Sequence, residues 1–79
     1  MDQNELFDRV KKVTGRVLNI DPKEIKPSDS FIFDLGAESM QSVELVMAFE
    51  AEFNIDMDQD QALAAQTIES AVSVIGHYV

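Results

Sequence analysis

Apolar residues recur every third or fourth position in two separate stretches, Phe7, Val10, Val13, Val17 and Leu18 in one and Leu45, Phe49 and Phe53 in the other. That period puts each set on one face of a helix. No stretch shows the sustained alternation of a half-buried strand, and no Asn-Gly or Asp-Gly dipeptide marks a tight hairpin. A chain of 79 residues must bury these faces against one another. The periodicity therefore predicts an all-α fold, a small four-helix bundle with a long loop between its first two helices and a short third helix. At this size folding hides only about 60% of the unfolded chain's surface, so marginal stability and plasticity are expected.

The first helix is predicted over Asn4–Leu18, with Glu5 and Asp8 early and Lys11, Lys12 and Arg16 late, the order that suits the helix dipole. From Asn19 to Glu38 runs a connection punctuated by Pro22 and Pro27, in which Asp21-Pro22 can open one short helical turn. A structureless link of that length is uncommon in a compact domain. Ile20, Ile25, Phe31 and Leu35 are therefore read as inward anchors. The second helix is predicted over Ser39–Phe53 and a third over Gln59–Ala65. A fourth covers Ile68–Tyr78, opened by Thr67 as N-cap, with Glu69 in its first turn. Ile68, Ala71, Val72 and Ile75 form its inward side, and residues 1–79 are read as one domain.

Charge is divided along the chain. All six Lys and Arg fall within residues 1–26, net +1, whereas residues 27–79 hold ten acids and no Lys or Arg, net −10, giving −9 in total. Such a surface repels nucleic acid and anionic lipid and speeds encounter with basic partners. There is no cysteine, hence no disulfide and no thiolate metal site. No apolar run approaches the roughly 18 residues that cross a bilayer, and the first residues are polar and acidic. A cytoplasmic chain without membrane insertion is expected, and without a long apolar seam it is expected to be a monomer.

The segment Asp34-Leu35-Gly36-Ala37-Glu38-Ser39-Met40 turns sharply at a residue without Cβ and then enters the second helix. Serine is a common N-cap and could have no further role. Ser42 stands three residues after Ser39, however, so no reciprocal capping box starts from Ser39. An anion on that hydroxyl would meet the unpaired N–H groups and the positive end of the helix. On the helix itself, Leu45, Phe49 and Phe53, flanked by Ser42 and Val46, face inward. Met40, Val43, Glu44, Met47, Glu50 and Ala51 cluster opposite, an apolar and carboxylate mixture suited to a partner with a basic rim around an apolar pocket. Methionine's flexible thioether lets one such surface serve several partners.

Other chemistries lack their parts. Asp56-Met57-Asp58-Gln59-Asp60 imitates the start of a calcium loop, but Gln61 replaces the required glycine and Thr67 the closing glutamate. It reads instead as a solvated acidic turn. His77 has no second His or Cys beside it and is assigned a capping, solvent-facing role. With no nucleophile–base set, glycine-rich phosphate loop or metal-ligand cluster, intrinsic catalysis is rejected.

The segment resembles the prosthetic-group site of the acyl carrier protein family, Asp-Leu-Gly-x-Asp-Ser-Leu. The resemblance extends from about Phe7 to Ile75, through Phe31, Val43-Glu44-Leu45-Val46-Met47 and Glu50-Ala51-Glu52-Phe53. It implies a free-standing carrier whose Ser39 bears 4′-phosphopantetheine, donated by coenzyme A through a magnesium-dependent phosphopantetheinyl transferase. The arm's thiol would hold acyl groups as thioesters for fatty-acid or related biosynthetic enzymes with basic docking patches. On the same resemblance Asp34, Leu35, Glu38, Met40, Val43, Glu44, Met47 and Glu50 meet partners, and Leu45, Phe49, Ala65 and Ile68 surround an acyl cavity. An aminoacyl or polyketide carrier with the same arm, or a cofactor-free helical interaction module, is the alternative. Glu38 departs from the usual Asp, Met40 from Leu, Ala65 from larger aliphatic residues and Leu63 from polar ones. The last two imply a rotated third helix or a reshaped pocket.

Overall fold

Asp2 caps the first helix, which starts at Gln3, one residue earlier than Asn4, because the Asp2 Oδ1 accepts the Glu5 N–H at 2.9 Å. The computed structural model describes Met1–Val79 as four α-helices and one 3₁₀ turn. α1 spans Gln3–Leu18, the turn Pro22–Glu24, α2 Ser39–Phe53, α3 Gln59–Ala64 and α4 Ile68–Gly76. α1 lies against both α2 and α4, while α3 bridges α2 and α4. The result is a helical bundle 26 × 25 × 19 Å across.

The core draws on every helix. Leu45, Val46, Phe49 and Phe53 come from α2, and Ile68, Ala71, Val72 and Ile75 from α4. From α1 come Leu6, Val10 and Val13, so the expectation for Phe7 needs correcting. Leu6 takes the inward position, while Phe7 packs half-buried at the rim with the Lys11 ammonium 4.8 Å from its ring centroid. A large ring beside a long basic side chain covers surface without entering the interior. Val17 and Leu18 also pack at the edge rather than in the centre.

Asn19 ends α1 in the left-handed conformation (φ 59°), and the chain folds back so that the Ile20 N–H reaches the Gly15 carbonyl at 2.9 Å. A Cβ on Gly15 would collide with the Ile20 carbonyl oxygen, which explains why a helix interior carries glycine there. Asp21 caps the 3₁₀ turn through the Lys23 N–H, as Asp21-Pro22 suggested. Ile25 and Phe31 are buried and Ile20 and Leu35 half-buried, so all four anchors contact the core.

Backbone bonds fasten the rest of the connection. A helix begins with four N–H groups that lack intrahelical partners. In α4, Ile68 N–H donates to the Asp29 carbonyl at 3.0 Å, Glu69 N–H to Pro27 at 2.9 Å, and Ser70 N–H to Thr67 Oγ1 at 3.2 Å. The Phe31 N–H returns a bond to Gln66 at 2.9 Å. The long connection thus completes the start of α4, and α4 in turn holds the connection in place.

The last two helices end sooner than expected. Ala65 is the residue after α3, and α4 stops at Gly76 because the His77 and Tyr78 N–H groups bond three residues back, to Val74 and Ile75. His77 Nδ1 lies 2.8 Å from the Ser73 carbonyl, in the exposed capping position expected of it. In the acidic turn, Asp58 caps α3 by accepting from Asp60 N–H at 2.9 Å and Gln61 N–H at 3.3 Å, and Met57 is buried. No helix is long and apolar enough to cross a membrane.

Candidate functional site

Residues 30–37 form a closed turn that delivers the chain to α2. Ser30 receives the Asp34 and Leu35 N–H groups on its carbonyl, each at 3.0 Å, and Ala37 N–H closes onto the Phe31 carbonyl at 2.8 Å. Gly36 makes the bend with φ +74°, a conformation costly for any residue with a Cβ. Nothing lies within 4 Å of where a Cβ would stand, so the space over the turn is open.

Glu38, not Ser39, is the N-cap of α2, which makes Ser39 the first helical residue. A capping box does exist, but it begins one residue before the serine. The Glu38 N–H donates to Gln41 Oε1 at 2.9 Å, with the N3 residue reaching back as such boxes require. This relieves Ser39 of capping duty. Its side chain is exposed, and its hydroxyl joins none of the chain's hydrogen bonds, whereas those of Ser30, Ser42 and Ser70 are engaged. Ser28 and Ser73 are also exposed, but neither stands at the start of a helix. Alone among the four α-helices, α2 has no acid in its first turn. Beyond the capping carboxylate of Glu38, its N-terminal N–H groups remain free to receive an anion.

The outward face of α2 carries Met40 at 77% exposure, Met47 at 62% and Val43 at 45%, with Glu44 exposed among them. Glu38 is exposed beside Ser39. Three other residues expected on this surface also have structural work. Asp34 Oδ2 accepts the Ser30 N–H at 2.7 Å and holds the turn closed. Leu35 is half-buried against the core. Glu50 Oε2 accepts the Met57 N–H at 2.8 Å and ties the α2–α3 link to the helix. Ile32 and Phe33, exposed at 52% and 87%, were not singled out from the sequence. Their signal was the run Phe31-Ile32-Phe33, since a turn can bury one of three consecutive side chains but not all.

A cavity of about 60 Å³ lies between α2 and the α3 region, lined by ten apolar residues and two polar ones. Leu45, Phe49 and Ala65 are among them, whereas Ile68 is fully buried and does not line it. Ile32 and Leu63, both about half exposed, give it an apolar edge toward solvent. The polar position at Leu63 has therefore become part of the pocket's lining.

An exposed serine with a free hydroxyl, an anion-receptive helix start and open space above the preceding turn make a place to attach a group. The family model described as the phosphopantetheine attachment site matches residues 8–75. An acyl carrier protein of Sulfurovum sp. (strain NBC37-1) is 47% identical over 70 residues, 89% of this chain and 93% of that one. One from Picosynechococcus sp. (strain ATCC 27264 / PCC 7002 / PR-6) is 44% identical over 71 residues, 90% and 88% of the two chains. That of Thermosynechococcus vestitus (strain NIES-2133 / IAM M-273 / BP-1) is 35% identical over 79 residues, 100% and 98%. The chain belongs to the acyl carrier protein family, and its cofactor is covalently attached 4′-phosphopantetheine.

Proposed function

We propose that Ser39 bears the 4′-phosphopantetheine arm as a phosphodiester and that the chain presents acyl groups to fatty-acid or related biosynthetic enzymes. The observation that carries this is the unengaged Ser39 hydroxyl at the start of α2, within the span of the phosphopantetheine attachment family. In loading, the Ser39 Oγ–phosphorus bond forms as the phosphoanhydride bond of coenzyme A breaks. The hydroxyl proton passes to the transferase and adenosine 3′,5′-bisphosphate leaves. When attached, the arm supplies a terminal thiol that holds acyl groups as thioesters. The chain itself catalyses nothing: α2 positions Ser39, its N–H groups favour the phosphate, and the Met–Glu face meets the enzymes.

Asp34, Leu35, Glu38, Met40, Val43, Glu44, Met47 and Glu50 are the residues we assign to partner recognition, Asp34 and Glu50 also holding that surface in shape through their backbone hydrogen bonds. Leu45, Phe49 and Ala65 border the cavity assigned to the acyl chain, while Ile68 is packed in the core and does not line it. The transferase and acyl-processing enzymes with basic docking patches are the partners, consistent with ten acids and no Lys or Arg after Lys26. We take residues 1–79 as one carrier domain, monomeric and cytoplasmic. Incubation with coenzyme A, magnesium and a broad-specificity phosphopantetheinyl transferase should add one phosphopantetheine to the intact mass, and none to Ser39→Ala. Addition to both proteins would assign the arm to another residue.

A further inference from the structure

We propose that Phe33 is a preformed apolar anchor for the phosphopantetheinyl transferase, set into a basic-rimmed pocket of that enzyme while Ser39 is modified. The inference rests on the carrier reading above.

Phe33 is the most exposed large apolar side chain of the molecule, at 87%. Its own fold gives it no work, since it belongs neither to the core nor to the side chains packed against it. Its backbone, however, is tightly held. The Phe33 N–H donates to Ser30 Oγ at 3.1 Å, and the Ser30 N–H donates to Asp34 Oδ2 at 2.7 Å. Asp34 and Leu35 N–H both return to the Ser30 carbonyl at 3.0 Å. An aromatic ring on a hydrogen-bonded turn loses little backbone freedom on docking, and aromatic side chains, Phe among them, are enriched at protein interfaces.

Location selects the partner. Acyl-processing enzymes work at the end of the arm, but the transferase must bring its own reacting groups to Ser39 Oγ. Its footprint therefore covers the surroundings of that atom. Phe33 lies two residues after Phe31 and Ser39 two residues after Ala37, so the 2.8 Å bond between Ala37 N–H and the Phe31 carbonyl ties their neighbourhoods together. At about 3.4 Å per residue, the two Cα atoms are less than roughly 20 Å apart. A standard interface covers about 800 Å² on each side, wide enough for both. Charge points the same way: exposed Asp34 and Glu38 stand between Phe33 and Ser39 and no Lys or Arg follows Lys26. The complementary surface is an apolar pocket edged by Lys or Arg.

The test is the rate of loading of the full chain against its concentration, with coenzyme A, magnesium and a broad-specificity transferase. Wild type is compared with Phe33→Ser, Phe33→Leu and the remote surface control Val79→Ser, each checked for helicity by circular dichroism. We expect Phe33→Ser to raise KM for the protein about tenfold with kcat unchanged, the scale of one interface anchor. Phe33→Leu restores most of the loss and Val79→Ser has no effect. The ratio of mutant to wild-type KM persists as salt rises, because an apolar contact is not screened. Wild-type KM in Phe33→Ser, a change confined to kcat, or a ratio that falls to one at high salt would overturn the anchor. If the wild-type chain gains no mass beside a Sulfurovum relative that does, the carrier reading itself fails, and this inference with it.

Discussion

Arg9 of α1 holds Glu52 of α2 by two different atoms of the same residue: Nε reaches the Oε2 carboxylate oxygen and Nη2 the backbone carbonyl, both at 2.9 Å. The guanidinium also stands 4.6 Å from the centroid of the Phe53 ring. One side chain thus joins the middle of α1 to the last turn of α2, where carbonyls lack intrahelical partners and a cation is favoured by the dipole. Both side chains are about one-third exposed, so the ion pair alone contributes little. The carbonyl bond and the ring contact add to it.

Replacing Arg9 with Met keeps the stem and removes all three interactions. The expected loss is about 1–2 kcal/mol in urea unfolding. Arg9→Lys should lose nearly as much, since a single ammonium cannot reach both oxygens and lie over the ring. A Lys variant as stable as wild type would show that charge alone matters.

Two glycines should respond to alanine for different reasons. In Gly36→Ala the added Cβ meets open space, and the cost is that of holding φ +74°, about 1 kcal/mol. Gly36→Asn should cost less, because asparagine tolerates that region. In Gly15→Ala the backbone is helical and alanine gains about 1 kcal/mol of propensity. The collision with the Ile20 carbonyl should still outweigh it, since overpacking costs about 1–3 kcal/mol. Thermal melts of the three variants distinguish strain from steric exclusion; a stabilised Gly15→Ala would refute the close return of Ile20.

Ser39→Ala should leave stability within about 0.5 kcal/mol of wild type, because the side chain is exposed and bonds nothing. Its loading by the transferase should vanish. Chemical denaturation and intact mass, read on the same preparation, separate loss of a reactive oxygen from loss of the fold.

Glu50 can be divided into its two roles. Glu50→Gln retains an acceptor for the Met57 N–H and should be nearly as stable as wild type, whereas Glu50→Ala leaves that partly buried N–H without a partner and costs about 1–2 kcal/mol. Both remove a charge from the recognition surface. Both should therefore slow association with a basic partner at low salt, and the difference from wild type should shrink as salt rises. Stopped-flow association at two ionic strengths tests this, and a salt-independent difference would exclude the electrostatic role.

The sequence alone determined the helical class, the two faces of α2 and the position of Ser39 at the head of that helix. Each of these depends on spacing along a single helix or on one local turn, such as Leu45, Phe49 and Phe53 at intervals of four residues. Tertiary structure decided what spacing leaves equivalent. Leu6 and Phe7 are neighbours with similar hydrophobicity, and only the approach of α2 and α4 settled which one is buried. Glu38 and Ser39 could both have capped α2, and the Gln41 side chain selected Glu38. Asp34 and Glu50 read as surface carboxylates until the turn at Ser30 and the return of Met57 gave each a backbone N–H to accept. Ile68 carried an apolar signal like that of the cavity residues, but packing closed around it and left the cavity to its neighbours. A one-dimensional pattern fixes which side of a helix is apolar; which other segment arrives to cover it, and which polar groups that arrival leaves in need of a partner, is set only when the elements pack.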